Sequence, residues 1–247
     1  MWLILCSSTD LPALWAYEGL QKLGLEPLEL VFAEHLAFAR FWEHRVSAAG
    51  ATAKIVLPDG RTICTSRVRG ALNRLLAPPQ DLIQTAAPSD RDYAAGEMMA
   101  FYLSWLFGLP GAVINRPTPQ GLCGAWRHSS EWVWLAGRAG LPAPPYRQTG
   151  RGNIDGGYCS LVPAGERVIK LVVLRSEVFG PTLPDEVAVA CRKLAKSAGT
   201  EMLGVDVYCG TDSQWTFAGA TPTPDFTIGG PPLLEHMAQI LRNGGRQ

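Results

Sequence analysis

Residues 183–226 read LPDEVAVACRKLAKSAGTEMLGVDVYCGTDSQWTFAGATPTPDF. Pro184 and Asp185 open an amphipathic run that Gly199 closes, which is the punctuation of a helix. EMLGVDVYCG and SQWTFAGA follow as two strands joined by the turn TD (Thr211, Asp212). The second strand runs into a loop of threonines and prolines that ends on one acid, Asp225. A helix feeding an antiparallel pair reads as α+β for this half of the chain.

The N-terminal half has a different grammar. WLILCSS (2–8) is a continuous apolar run ending in small polar residues, as in a strand buried on both faces of a parallel sheet. DLPALWAYEGLQKLG then reads as a helix with Asp10 as cap, Pro12 in the first turn and Gly24 as stop. LEPLELVF (25–32) is the next strand, so strand–helix–strand implies a parallel α/β sheet. AKIVL (53–57) and RTICT (61–65) flank the turn PDG as a hairpin. A long helix over 89–109, capped by Ser89 or Asp90, precedes the buried strand PGAVIN. SSEWVWLAGRAGLPAPP (129–145) gives another helix and a proline-rich exit, followed by the polar, glycine-rich RQTGRGNIDGG (147–157). YCSLVP (158–163) and RVIKLVVLRSEVFG (167–180) are strand-rich, and PLLEHMAQILRN is the last helix.

Composition narrows the function classes. The chain has 247 residues, 47% hydrophobic and 18% charged, with 22 basic and 22 acidic side chains. A balanced charge gives no electrostatic reason for nucleic acid or an anionic membrane as partner. The six cysteines are scattered, without the paired short spacing that a zinc site uses, and are expected as small buried thiols. The apolar run at the N-terminus is too short to span a membrane and has no basic flank, so a cytoplasmic location is expected. The histidines accompany no Ser or Cys nucleophile in a recognisable elbow, and no G-x-G-x-x-G follows the first strand. Trp132 and Trp134 stand two apart on one helix, so one of them must face away from the core, and Trp126 is close by; such an aromatic suits a partner surface.

Five stretches, in order, resemble the ATP-grasp family, whose members use ATP to make an acyl-phosphate and join it to an amine. VRGALNRLL (68–76) resembles the turn-and-helix of the N-terminal domain, and DYAAGEMMAFYLSWLFGLPGAVINRP (92–117) the helix and strand that end it. SSEWVWLAGRAGLPAPPY (129–146) is similar to the segment that introduces the nucleotide-binding half. LPDEVAVACRKLAKSAGTEMLGVDVY (183–208) and WTFAGATPTPDFTIGGPPLLEHMAQIL (215–241) resemble the late helix and strand and the closing strand, loop and helix. The resemblance implies an α/β chain that is α+β in its C-terminal half. An N-terminal Rossmann-like pre-ATP-grasp domain would occupy 1–117, a helix and glycine-rich connection 118–157, and a truncated ATP-grasp domain lacking the lid subdomain 158–247.

The same resemblance implies where chemistry should sit. The family's metal-binding acid and asparagine fall on Gly219 and Thr221, and no acid, amide or base lies between Ala218 and Pro224. Mg²⁺ needs carboxylate and carbonyl oxygens. The expectation is therefore a chain that has lost ATP and Mg binding and serves as a non-catalytic binding or scaffold subunit, with no cofactor and no metal ligand. Its partner would be a protein, an active ATP-grasp homologue or a second copy, with a small molecule or peptide as further ligands. The alternative is an ATP-dependent carboxylate–amine ligase with rearranged ligands or one completed by a partner chain, using Asp206, Lys170, Arg175 and Arg116. Asn115, Arg116, Ser7 and Asp225 are the candidate ligand-binding residues. For Ser7, Ser8 and Thr9 helix capping is the simpler expectation, for Lys170 a solvent-facing strand position, and for GRGNIDGG (150–157) a flexible connection.

Overall fold

The computed structural model describes residues 1–48, 50–79, 83–144, 167–210 and 214–244. They divide into two compact units, Met1–Ala125 with Pro231–Gln247, and Trp126–Gly230.

In the first unit β1 (Trp2–Cys6) pairs in parallel with β2 (Leu28–Phe32) on one side and β6 (Gly70–Asn73) on the other, and β7 (Ala112–Ile114) completes the order β2-β1-β6-β7. All of β1 is buried, which is why its sequence carries no polar alternation. α1 (Leu11–Lys22) begins where the Asp10 carboxylate accepts from Ala13 N–H at 3.2 Å, and it ends at Gly24, φ 76°. A short α2 (Ala33–Ala37) follows β2. β3 (Phe41–Ser47), β4 (Gly50–Val56) and β5 (Thr62–Cys64) form a separate antiparallel sheet. Ile55, Leu57 and Ile63 from this region join Leu3, Leu5 and Val31 and the Trp105 and Leu106 side chains of α3 (Arg91–Phe107) in one core. The last helix, α6 (Gly230–Asn243), returns to this sheet: the Trp2 indole N–H donates to Leu241 O at 3.1 Å.

Two expectations are corrected here, and one strand appears that the sequence did not announce. VRGALNRLL does not form a helix; its Gly70–Asn73 is the strand β6, paired with β1 and β7 at once and wholly buried. A Cβ at Gly70 would stand 2.7 Å from Ala112 O, so the glycine serves close strand approach. β3 carried no signal in the sequence; its side chains are half-buried to exposed, and pairing with β4 defines it. Asp90 stands at the N-cap of α3 but makes no side-chain cap bond, because a 3-10 turn, Pro88–Asp90, leads directly into the helix.

In the second unit β8 (Val168–Leu174), β9 (Glu177–Phe179), β10 (Met202–Cys209) and β11 (Trp215–Thr221) make an antiparallel sheet of order β11-β10-β8-β9. α4 (Ser129–Ala139) and α5 (Asp185–Ala198) cover one face, where Trp132, Leu135, Cys191 and Leu194 meet Leu171, Val173, Val205, Val207 and Phe217. Trp132 is buried and Trp134 exposed, with Arg138 5.0 Å from its ring centroid, as their spacing requires. Residues 221–224 pass close to Gly204, where a Cβ would lie 2.9 Å from both Pro224 Cβ and Thr221 Cγ2; the glycine of LGVD is there for that approach. Cys6, Cys123 and Cys191 are buried, and Cys64 and Cys209 half-buried. The TD turn, Cys159, the segment 147–157 and YCSLVP lie outside the described residues. Among the described residues no helix is long and apolar enough to cross a membrane.

Two glycines of the first unit test this reading. Gly111 holds φ 72° with its would-be Cβ 2.0 Å from Arg69 O, whereas Gly96, inside α3, faces open space. In urea unfolding, Gly111→Ala should lower stability by about 2 kcal/mol or more, and Gly96→Ala should raise it by about 1 kcal/mol.

Candidate functional site

Strand register in the second unit brings two sequence-predicted residues together. Asp206 on β10 is directly opposite Lys170 on β8 and, on its other side, Gly219 on β11. Lys170 is exposed, as its alternation with apolar neighbours implied, and Asp206 is half-buried. Burial lifts the Asp206 carboxyl above the usual carboxylate range, and the Lys170 ammonium works against that rise. A bulge follows: Asp206 pairs with Gly219 and Val207 with Phe217, leaving Ala218 as the extra residue. A side chain at 219 would begin 3.9 Å from Asp206 Oδ2. The row Lys170–Asp206–Gly219 thus has one carboxylate, one ammonium and a bare Cα where a second acid would fit.

The neighbouring polar groups are engaged locally. Thr221 Oγ1 accepts from Thr223 N–H at 3.2 Å. Asp225 is an exposed cap whose Oδ1 accepts from the Thr227 N–H at 3.0 Å and the Thr227 hydroxyl at 2.7 Å. Arg175 does not join them. It lies beyond the far end of β8, roughly 17 Å from Lys170 at about 3.3 Å per residue, in the turn to β9. There its guanidinium is 3.3 Å from Glu201 Oε1.

The other candidates belong to the first unit, at the carboxyl ends of its parallel strands, where ligands of open α/β sheets bind. Ser7, Ser8 and Thr9 do not cap α1, since Asp10 does. Ser7 Oγ donates to Glu34 Oε1 at 3.2 Å, and Ser8 donates to the same carboxylate through its hydroxyl at 2.9 Å and its N–H at 3.2 Å. Burial alone would raise the Glu34 carboxyl; these bonds and its own backbone N–H outweigh it and hold the group below the usual range. Asp10 and Arg74 form a bidentate pair, 2.6 and 3.0 Å, with side chains 14% and 5% exposed. Asn115 is buried at φ 59°, its carbonyl accepting from Asn73 Nδ2 at 3.0 Å and its amide donating to Cys123 Sγ at 3.6 Å. Arg116 is exposed and donates to Gly111 O at 2.7 Å. Burial pushes the Cys6 thiol up to about 12 and the Cys123 thiol up to about 11, which keeps both protonated and poor nucleophiles.

Sequence reasoning passed over Glu34 and Arg74. Two serines after a buried strand marked the place, but nothing in the sequence pairs Glu34 with them, and Arg74 sat inside the stretch read as a helix. Among the described residues no three His, Cys, Asp or Glu side chains converge as a metal site.

No protein-family model and no curated protein sequence matches the chain. Solved structures match it over nearly its whole length. The macrocyclase MdnC from Microcystis aeruginosa MRC, bound with precursor peptide MdnA, gives a TM-score of 0.74 at 12% identity, covering 98% of this chain and 99% of MdnC. A RiPP-associated ATP-grasp ligase of Chryseobacterium gregarium, in complex with ADP and a leader and core peptide, gives 0.70 at 10% identity, covering 98% and 95%. The ATP-grasp ligase PsnB, complexed with minimal precursor, Mg and ADP, gives 0.67 at 17% identity, covering 98% of each chain. The mixed α/β chain, one sheet parallel and two antiparallel, therefore shares the fold of these ATP-grasp ligases.

Two stability measurements follow. Native Asp206 keeps its proton to a higher pH than unfolded Asp206, so it withdraws stability as pH rises from the ordinary carboxylate value through the native one. Asp206→Asn should therefore unfold at higher urea than the parent at pH 7, and the two should converge once pH falls below the ordinary carboxylate range. Asp10→Ala leaves the buried Arg74 without its carboxylate and α1 without its cap, and should cost about 3–5 kcal/mol in the same assay.

Proposed function

We propose that this chain is a peptide-binding protein of ATP-grasp fold that has lost ATP and Mg binding and acts as a non-catalytic binding or scaffold subunit. The observation that carries the reading is the Lys170–Asp206–Gly219 row. Acyl-phosphate chemistry needs a cation bridging phosphates and held by several oxygens. In that row Asp206 is the one carboxylate, Gly219 has no side chain, and the Thr221 hydroxyl already accepts from Thr223. These residues do not fit Mg²⁺. The sequence of 147–164, where a lid would be expected, contains no lysine for phosphates. A peptide ligand is suggested by MdnC, PsnB and the Chryseobacterium ligase, each of which was solved with a peptide. The parallel order β2-β1-β6-β7 supports reading the first unit as a Rossmann-like pre-ATP-grasp domain that supplies part of the scaffold.

A second reading, a carboxylate–amine ligase completed by a partner chain, is favoured by one observation: Lys170 and Asp206 face each other while two of the similar structures hold ADP. ATP and Mg belong only to it. Isothermal titration separates the two. The chain alone should give no heat with ATP and Mg²⁺, and Gly219→Glu with Thr221→Asn should introduce a Mg²⁺-dependent rise in melting temperature. Low-micromolar nucleotide binding by the unaltered chain would sink the non-catalytic reading. Light scattering on the purified chain, alone and with a co-expressed ATP-grasp ligase, tests the subunit role; a monomer in both conditions counts against it.

A further inference from the structure

The second unit carries a groove of about 450 Å³ between the carboxyl end of α5 and the turn from β8 to β9. Arg192, Lys193 and Lys196 line it from the helix and Arg175 from the turn. One carboxylate, Glu201, stands against these four cations, and Val189 offers apolar surface, 38% exposed. The whole chain balances 22 bases with 22 acids, so the groove concentrates positive charge that the chain as a whole does not have.

Lysines near the end of a helix are usually explained by the negative end of its dipole. That explanation covers Lys196, in the last turn of α5. It leaves out Arg175, which comes from another element and holds φ 55°, a left-handed conformation in which glycine or asparagine is the ordinary occupant. Glu201 holds it there: the Arg175 N–H donates to Glu201 O at 2.6 Å and the guanidinium lies beside Oε1. Among the described residues Arg192, Lys193 and Lys196 have no ion-pair partner. Glu201, its side chain 36% exposed, lines the groove as one acceptor among these cations.

These features select one chemistry. Side-chain carboxylates answer the four cations, a backbone N–H answers Glu201, and aliphatic carbons answer Val189. A polypeptide carries all three on one flexible chain, whereas a phosphodiester backbone has neither an N–H donor nor an aliphatic side chain. We propose that this groove binds an acidic stretch of a polypeptide, at a site separate from the Asp206 row. The proposal goes beyond the function proposed above and does not depend on whether ATP binds.

Fluorescence anisotropy of the intact chain with a labelled glutamate-rich peptide is the test, alongside the same peptide with glutamine for glutamate and a labelled oligodeoxythymidine. The glutamate peptide should bind saturably and weaken with salt. The glutamine peptide, and the glutamate peptide with the Lys193→Glu/Lys196→Glu chain, should bind at least about tenfold more weakly. Arg175→Gly relieves the backbone strain while removing one cation, so it should keep or raise the melting temperature and still weaken the glutamate peptide; it decides the matter if the double variant fails to fold. Equal binding of the two peptides, binding of neither, or undiminished binding by the folded variants overturns the proposal. So does oligodeoxythymidine binding more tightly and being lost in the same variants, which would assign the groove to nucleic acid.

Discussion

A strand hydrogen-bonded on both edges and covered on both faces has no access to water, so every polar group it carries must be satisfied from within. β1 imposes this constraint in the first unit and β10 in the second. β1 meets it completely: Trp2 to Cys6 are buried, and their backbone is shared between β2 and β6. Its indole N–H, the one side-chain donor that needs a partner, finds the end of α6. β10 is buried at six of its eight positions, and Asp206, the only carboxylate on the strand, is half-buried opposite Lys170.

An acid kept in such a place has a cost, which shows in the rise of its proton affinity. Lys170 offsets part of it through the cross-strand register, and Gly219 offsets none. A second carboxylate at 219 would increase the penalty unless a cation came with it. The glycine and the lone acid are therefore mutually consistent: one half-buried carboxylate beside one ammonium has its charge partly answered without a metal. Asp10 with Arg74 shows how this chain treats a more deeply buried charge, with a bidentate partner and a helix N-terminus together.

The legible parts of the chain were those in which local chemistry and tertiary environment agree. α5 was marked by Pro184, Asp185 and Gly199, and its apolar stripe packs as its period requires. β6 was the opposite case. VRGALNRLL resembles a turn-and-helix, but Gly70 is drawn between two strands by a close approach to Ala112 that no local pattern encodes. β3 escaped notice because its faces are not sharply divided between core and solvent. At the candidate sites, Lys170 and Asp206 were each visible while their pairing was not, and Ser7 was visible without Glu34, which lies a helix and a strand away in the chain.

By itself the sequence determined which segments are helix and strand wherever periodicity and stop signals were strong. It also determined that residues 218–224 contain no acidic, amide or basic side chain, because composition does not depend on register. Tertiary structure alone decided that α6 closes on the first sheet, that Asp206 stands between a lysine and a glycine, and that Arg175 turns away from them toward a basic groove. The physical reason is the same in each case. Strand pairing and burial join residues far apart in the chain through backbone hydrogen bonds, which carry no side-chain code and so leave no trace in any local stretch of sequence.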